Sequence, residues 1–238
     1  MTNTLPTAVL IHGALTDASV WHDVIARLTQ QSIPVFAPAL PMRSFDGDVA
    51  YVRAALDTLD GPLVVAAHSY AGSVISAPAA LTEAVRALVF VAAFQPAAGE
   101  SSGELNGKFP GTQLVPENLM VRRYPGGNEV YLAVDRFAEV YAADVEPTHA
   151  AVMAAAQHPF DPATLDGTFA EPATWTNLPS WAVVSTSDVS IPTEALRFMA
   201  RRAGSTVVEI DSSHAVPVAH PDAVADAIEA AVISLTSR

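Results

Sequence analysis

Three stretches of this sequence hold residues whose types suit nucleophilic chemistry, and a fourth could support it. The first is Val64-Val65-Ala66-Ala67-His68-Ser69-Tyr70-Ala71-Gly72, a small-x-Ser-x-small frame directly after an apolar run. A serine on a tight strand-to-helix turn exposes its hydroxyl in a strained backbone conformation. Residues two before and two after it must be small, because helix and strand pass close together. Ala67 and Ala71 stand where glycines are usual, and in an alanine-rich chain such a frame is also compatible with an ordinary turn. A serine hydroxyl is a poor nucleophile without a base, and histidine is the usual one. The second stretch, Asp211-Ser212-Ser213-His214, supplies it just after the last apolar run. The other histidines fit less well. His68 flanks the serine with its side chain directed elsewhere, His22 is in a helical run, His149 and His158 are in an irregular region, and His220 abuts Pro221.

An acid must orient that imidazole. Asp188, in Ser185-Thr186-Ser187-Asp188-Val189-Ser190-Ile191-Pro192, follows another apolar run. Its competing role is that of a loop or helix-capping aspartate ahead of Pro192. Asp211 is the rival acid, but it stands three residues before His214 and is expected to point away. The fourth stretch is Val9-Leu10-Ile11-His12-Gly13-Ala14. Gly13 would let the backbone approach a substrate, and the N–H groups of Ala14 and Tyr70 could hold a tetrahedral oxyanion. The His12 side chain is read as making a structural hydrogen bond.

These residues need a frame. Short apolar runs at 9–11, 63–67, 87–93, 181–185 and 206–210, with a weaker one at 34–37, are too short for helices and mostly lack polar alternation. Strands covered on both faces of a parallel sheet read this way. Helical spacing fills 20–30, 49–59, 193–203 and 222–235, with Pro192 and Pro221 where a first turn accepts proline. The alternation predicts an α/β fold, a doubly wound sheet with helices on both faces. It breaks between residues 94 and 179. The division expected is a core of residues 1–94 and 179–238 and an inserted cap, or lid, of residues 95–178. Within the insertion, 136–143 and 148–157 look helical, Tyr124-Pro125-Gly126-Gly127-Asn128 looks like a turn, and no long apolar strand is seen. Met120, Phe160 and Trp175, with Gly13 from the core, are the candidate substrate-binding residues. Phe137 and Tyr141 are further aromatic candidates. Each aromatic could instead be cap core.

Composition limits the alternatives. The chain of 238 residues has no cysteine, 12 Lys plus Arg against 25 Asp plus Glu, a net charge of −13, and 50 % hydrophobic residues. That excludes a disordered chain, a disulfide-stapled domain and any cysteine-ligated metal site. Such acidity disfavours nucleic acid and anionic membranes as partners. No window reaches the length of about 20 apolar residues that crosses a bilayer. The first six residues lack the basic start and apolar core of a signal peptide, so the cytoplasm is the expected compartment. A small-molecule partner is expected, no metal or cofactor is called for, and a homodimer is left open.

The sequence resembles the α/β-hydrolase superfamily, and within it the small-esterase group that includes plant methyl-salicylate esterases and hydroxynitrile lyases. The resemblance spans nearly the whole chain. It rests on His12-Gly13-Ala14, Ala18-Ser19-Val20-Trp21, Ala37-Pro38-Ala39-Leu40-Pro41, Ala67-His68-Ser69-Tyr70-Ala71-Gly72 and Phe90-Val91-Ala92-Ala93-Phe94-Gln95-Pro96. It continues in Ala154-Ala155-Ala156-Gln157-His158-Pro159 and Ser212-Ser213-His214. The chain order Ser69, Asp188, His214 is that superfamily's order. The resemblance implies about six parallel strands, a cap over Ser69, and a carboxylesterase acting on small or medium, largely uncharged esters. Lactone opening, hydroxynitrile cleavage and a non-catalytic receptor role stay open on the same fold. Hydroxynitrile lyases of the group typically carry threonine where this chain has Gly13 and lysine where it has Ala215, so this chain lacks both features for releasing cyanide.

Overall fold

The computed structural model describes residues 5–236; residues 1–4, part of the stretch read for a targeting signal, lie outside the described residues. The described residues form eight strands: β1 (Thr7–Ile11), β2 (Val35–Phe36), β3 (Leu63–His68), β4 (Val85–Val91), β5 (Leu119–Tyr124), β6 (Gly127–Leu132), β7 (Ser180–Ser185) and β8 (Thr206–Ile210). Six make one sheet in the order β2-β1-β3-β4-β7-β8, with every neighbouring pair parallel. The other two, β5 and β6, form a separate antiparallel hairpin. The helices are α1 (His22–Gln30), α2 (Phe45–Leu56), α3 (Ala71–Ser76), α4 (Ser102–Gly107), α5 (Val134–Tyr141), α6 (Pro147–Ala155), α7 (Thr193–Ala203), α8 (Val216–Ala219) and α9 (Pro221–Thr236).

Side chains alternate across a strand, so β1, β3 and β4 each feed two cores. Val9, Ile11, Val65, Ala67, Leu88 and Phe90 pack with Val49, Val52 and Leu56 of α2 and Val74 and Ile75 of α3. Ala8, Leu10, Val64, Ala66, Val89 and Val91 pack with Val24 and Leu28 of α1, Leu196 and Met199 of α7, and Ile228 and Val232 of α9. The two helix layers explain the unbroken apolar runs of β1, β3 and β4, and every residue of β3 is buried, whereas β8, an edge strand expected to be covered on both faces, is exposed from Thr206 to Glu209. Local signals agree with the long range. Ser44 caps α2 by accepting from the Gly47 N–H, α7 ends on Gly204 in the left-handed region, and Pro221 opens α9.

The segment between β4 and β7 does not bring an apolar core of its own. Val130, Leu132, Phe137, Val140, Tyr141, Phe160 and Trp175 join the same cluster as α2 and α3. Its hairpin and α4 are absent from the sequence reading. Most of β5 is exposed, so it shows no buried alternation, and α4 is six residues with two glycines. No helix among the described residues is long and apolar enough to cross a membrane.

Candidate active site

Ser69 stands between the end of β3 and the start of α3 with φ of 55°, a left-handed conformation that is strained for a residue with a side chain. Surrounding bonds hold it there. Its N–H donates to the Val91 carbonyl (3.2 Å), and its carbonyl accepts from Gly72 (3.0 Å) and Phe94 (3.2 Å). The turn is tight enough to dictate two residue types. A Cβ at Gly72 would lie 2.1 Å from the Phe94 carbonyl oxygen, and one at Gly13 would lie 2.5 Å from Ser69 Cβ. The smallness expected around Ser69 is therefore absolute at Gly72, whereas Ala67 and Ala71 fit.

The sheet brings Ser69, His214 and Asp188 to one carboxyl edge. His214 Nε2 is 2.8 Å from Ser69 Oγ, and Nδ1 is 2.6 Å from Asp188 Oδ2. A carboxylate only accepts, so Nδ1 carries the proton and the Nε2 lone pair faces the serine hydroxyl. Asp188 Oδ1 accepts from the N–H groups of Ser190 (2.7 Å) and Ile191 (2.9 Å), which fixes the carboxylate. It therefore also does the turn-capping work weighed for it above. Asp211 is exposed and accepts from Ser187 Oγ at 2.6 Å, away from the imidazole. All three members of the candidate triad are nearly excluded from water, with exposures of 6 % for Ser69, 1 % for His214 and 5 % for Asp188.

The glycine loop after β1 lies beside the serine. Ala14 and Tyr70 both line the cavity in front of Ser69, and the N–H of neither donates to another group among the described residues. Two donors beside a nucleophile suit a developing oxyanion. His12 stays out of that cavity. It accepts from the Leu40 N–H (2.8 Å) and donates to the Gly13 carbonyl (2.9 Å). Burial pushes its imidazole down to about 4, so it is a neutral brace. His68 is a second neutral brace. It bonds the His214 carbonyl through Nε2 (3.0 Å), its ring lies 4.9 Å from that of His214, and burial holds it well below the usual histidine range.

One helix of the segment between β4 and β7 touches the loops that carry Ala14, Asp188 and His214. The Tyr141 hydroxyl at the end of α5 donates to the Ala14 carbonyl (3.4 Å) beside Thr16 Oγ1 (3.3 Å), and its ring meets His214 edge-on at 4.8 Å. The Tyr141 carbonyl accepts from the Ala215 N–H (2.9 Å) and Ser213 Oγ (3.1 Å), and the Val140 carbonyl from Ser190 Oγ (2.8 Å). The last carbonyls of a helix lack partners within it. Here the acid and histidine loops supply them. Asp144, just beyond α5, adds bonds to Ser213 Oγ (2.5 Å) and N (3.1 Å). Burial works to raise its carboxyl, but the bonds from Ser213 outweigh this and hold it below the ordinary range.

The cavity holds about 280 Å³, and its lining includes Leu15, Phe94, Leu119, Tyr141, Phe160, Leu165 and Ile191 with Ser102, Asn106 and Thr112. No Asp, Glu, Lys or Arg lines it among the described residues. Phe160 is in the wall and Gly13 lies behind Ser69, but two expected residues are elsewhere. Met120 is 46 % exposed on the hairpin and outside the cavity. Successive strand residues face opposite ways, and its neighbour Leu119 takes the lining position. Trp175 donates to the Pro96 carbonyl (3.0 Å) and packs under the Arg202 guanidinium at 5.6 Å, so it is core. The sequence reading missed Asp48, a fully buried carboxylate that accepts from Tyr70 Oη and the Met42 N–H, both at 2.9 Å. The signal was an acidic residue on the apolar face of α2.

A parallel sheet that brings serine, acid and histidine to its carboxyl edge, in that chain order, describes the α/β-hydrolase class. This chain belongs to the alpha/beta hydrolase family, which it matches over residues 8–227. No curated protein matches it. Among solved structures it is similar to a pyrethroid hydrolase from Sphingobium faniae JZ-2, at 20 % identity and a TM-score of 0.80, covering 99 % of this chain and 100 % of that one. It is similar to polyneuridine aldehyde esterase at 18 % identity and a TM-score of 0.81, covering 97 % and 99 %. A third is an extracellular α/β-hydrolase from a Paenibacillus species, described as sharing homology with tobacco salicylic acid binding protein 2. It has 17 % identity and a TM-score of 0.76, covering 95 % and 99 %. At these identities the likeness is one of fold.

Proposed function

We propose that this protein is a serine hydrolase that cleaves uncharged carboxylic esters through an acyl-enzyme. The observation that carries the reading is His214 held between Ser69 and Asp188 at 2.8 and 2.6 Å. Ser69 Oγ attacks the ester carbonyl carbon while its proton passes to His214 Nε2. The tetrahedral oxyanion accepts from the N–H groups of Ala14 and Tyr70. Collapse breaks the bond to the alcohol oxygen, which takes the proton from His214. A water then adds to the acyl carbonyl, gives a proton to His214, and the acid leaves as Ser69 regains its hydrogen. Asp188 holds the imidazole in the tautomer this sequence needs and stabilises its charge. A wall in which no described Asp, Glu, Lys or Arg takes part favours an uncharged substrate. The esterase and hydrolase among the structural neighbours are consistent with ester chemistry. Gly13 and Ala215 leave no hydroxyl or ammonium for cyanide release, so mandelonitrile is not expected to react.

A fluorophosphonate probe tests the nucleophile, and it is expected to label Ser69 alone. Ser69→Ala should lower ester turnover by roughly 10⁴–10⁶-fold. Asp188→Asn should lower it by roughly 10⁴-fold, because an amide donating to Nδ1 turns the Nε2 proton toward the serine. Asp211→Asn should stay close to the parent. Labelling elsewhere, or an active Ser69→Ala protein, would sink the assignment.

A further inference from the structure

We propose that substrate reaches Ser69 across the glycine face of α4, and that position 107 limits the largest group the site admits. The proposal rests on the hydrolase reading above. Of the residues lining the cavity, Gly103 and Gly107 are the exposed ones; the rest are buried or half-buried. A cavity opens where its lining meets solvent, so the mouth runs along α4.

The backbone requires glycine at neither position. Gly103 and Gly107 are absent from the positive-φ glycines, so no left-handed turn calls for them. Nor does close packing, in contrast to Gly13 and Gly72. A Cβ at Gly107 would meet nothing within 4 Å. One at Gly103 would make ordinary contact with the Leu165 carbonyl oxygen (3.5 Å) and Asp166 Oδ1 (3.6 Å), the opposite bank of the opening. Glycine weakens a helix relative to alanine. Both glycines line the cavity, one turn apart in a six-residue helix, and at Gly107 the missing side chain leaves open space.

The rim is firmly placed. Ser101 and Glu104 form a reciprocal cap at the start of α4, and Ser102 Oγ lies 2.6 Å from Ser73 Oγ of α3. Asn106 donates to Thr112 Oγ1 (3.1 Å), which donates to the Ser190 carbonyl (2.9 Å). A larger side chain at 107 therefore narrows the mouth rather than displacing the helix. The inferred substrate has one long or broad apolar arm, which lies across the glycines and extends toward solvent, and one small arm enclosed within the cavity.

The test is a series of 4-nitrophenyl esters from acetate to dodecanoate with the parent and Gly107→Leu. The ratio of kcat/KM for the long esters over acetate should fall at least about tenfold, the scale of lost apolar contacts in a pocket. Gly107→Ala should fall between the two. Gly103→Leu narrows the same mouth from its other end and serves if Gly107→Leu does not fold. Labelling of Ser69 by a long-chain fluorophosphonate should slow relative to diisopropyl fluorophosphate by a similar factor. A parent protein that labels and turns over esters, with both leucine variants folded and their ratios within twofold of it, would overturn the entrance. A parent that neither labels nor turns over any ester would overturn the hydrolase reading instead.

Discussion

Tyr70 follows the serine and presents one of the two free N–H groups, and its own hydroxyl ends on Asp48. Burial raises the Asp48 carboxyl to about 6, with bonds from Met42 and Tyr70 opposing only part of the shift. The folded state thus binds this proton more tightly than the unfolded chain, whose value is near 3.8. The associated stability is fully present below that value and is lost as pH rises through about 6. Asp48→Asn removes the titration. Relative to the parent, the variant should gain about 2 kcal/mol between pH 4 and pH 7, measured by urea unfolding at each pH. A pH-independent difference would mean that Asp48 does not titrate there. Ser69, Asp188 and His214 were legible in the sequence because each follows an apolar run, and run ends become sheet edges. Asp48 was not, since residue type alone does not reveal that Tyr70 comes to meet it. Met120 and Trp175 misled for a related reason. A large apolar residue asks for cover without saying which wall will provide it.

At the level of elements, α5 ties the acid, histidine and glycine loops together through its last carbonyls and the Tyr141 hydroxyl. Asp144→Ala leaves Ser213 without its carboxylate and weakens the hold on the loop that carries His214, which Tyr141 and His68 still brace. Turnover should fall about 10–100-fold, the scale of a misplaced catalytic group, with KM little changed. Steady-state kinetics on a short ester measures this split. A rise in KM alone would put Asp144 in substrate binding. The six sheet strands could be read from their apolar runs, and the observed α7 spans the residues expected. The hairpin could not, because β5 is mostly exposed and polar bonds join the strands on the face away from the core. Glu129 receives Arg43 at 2.9 Å, Arg122 at 2.7 Å and Tyr131 Oη at 3.0 Å. Such a network leaves no periodic apolar signature.

Taken whole, the molecule carries a charge of −13, and no Asp, Glu, Lys or Arg among the described residues lines the cavity. Under the proposed reaction, a neutral ester enters and an anionic acid leaves, so the field repels the product but not the substrate. Salt screens that repulsion. The inhibition constant of the product acid should therefore fall as ionic strength rises, while that of the product alcohol stays level. Inhibition assays from 10 to 300 mM sodium chloride, roughly 30 Å to under 8 Å of screening length, check it. The strand order has a different consequence, in the history of each molecule. β4 pairs with β3 on one side and β7 on the other, and residues 92–179 separate β4 from β7 in the chain. A ribosome adding about 5–20 residues per second delivers β7 several seconds after β4 is complete. For that interval the nascent sheet ends in Val-Arg-Ala-Leu-Val-Phe-Val, an apolar edge with unpaired backbone groups. Until β7 arrives, that edge is open to pairing with another strand.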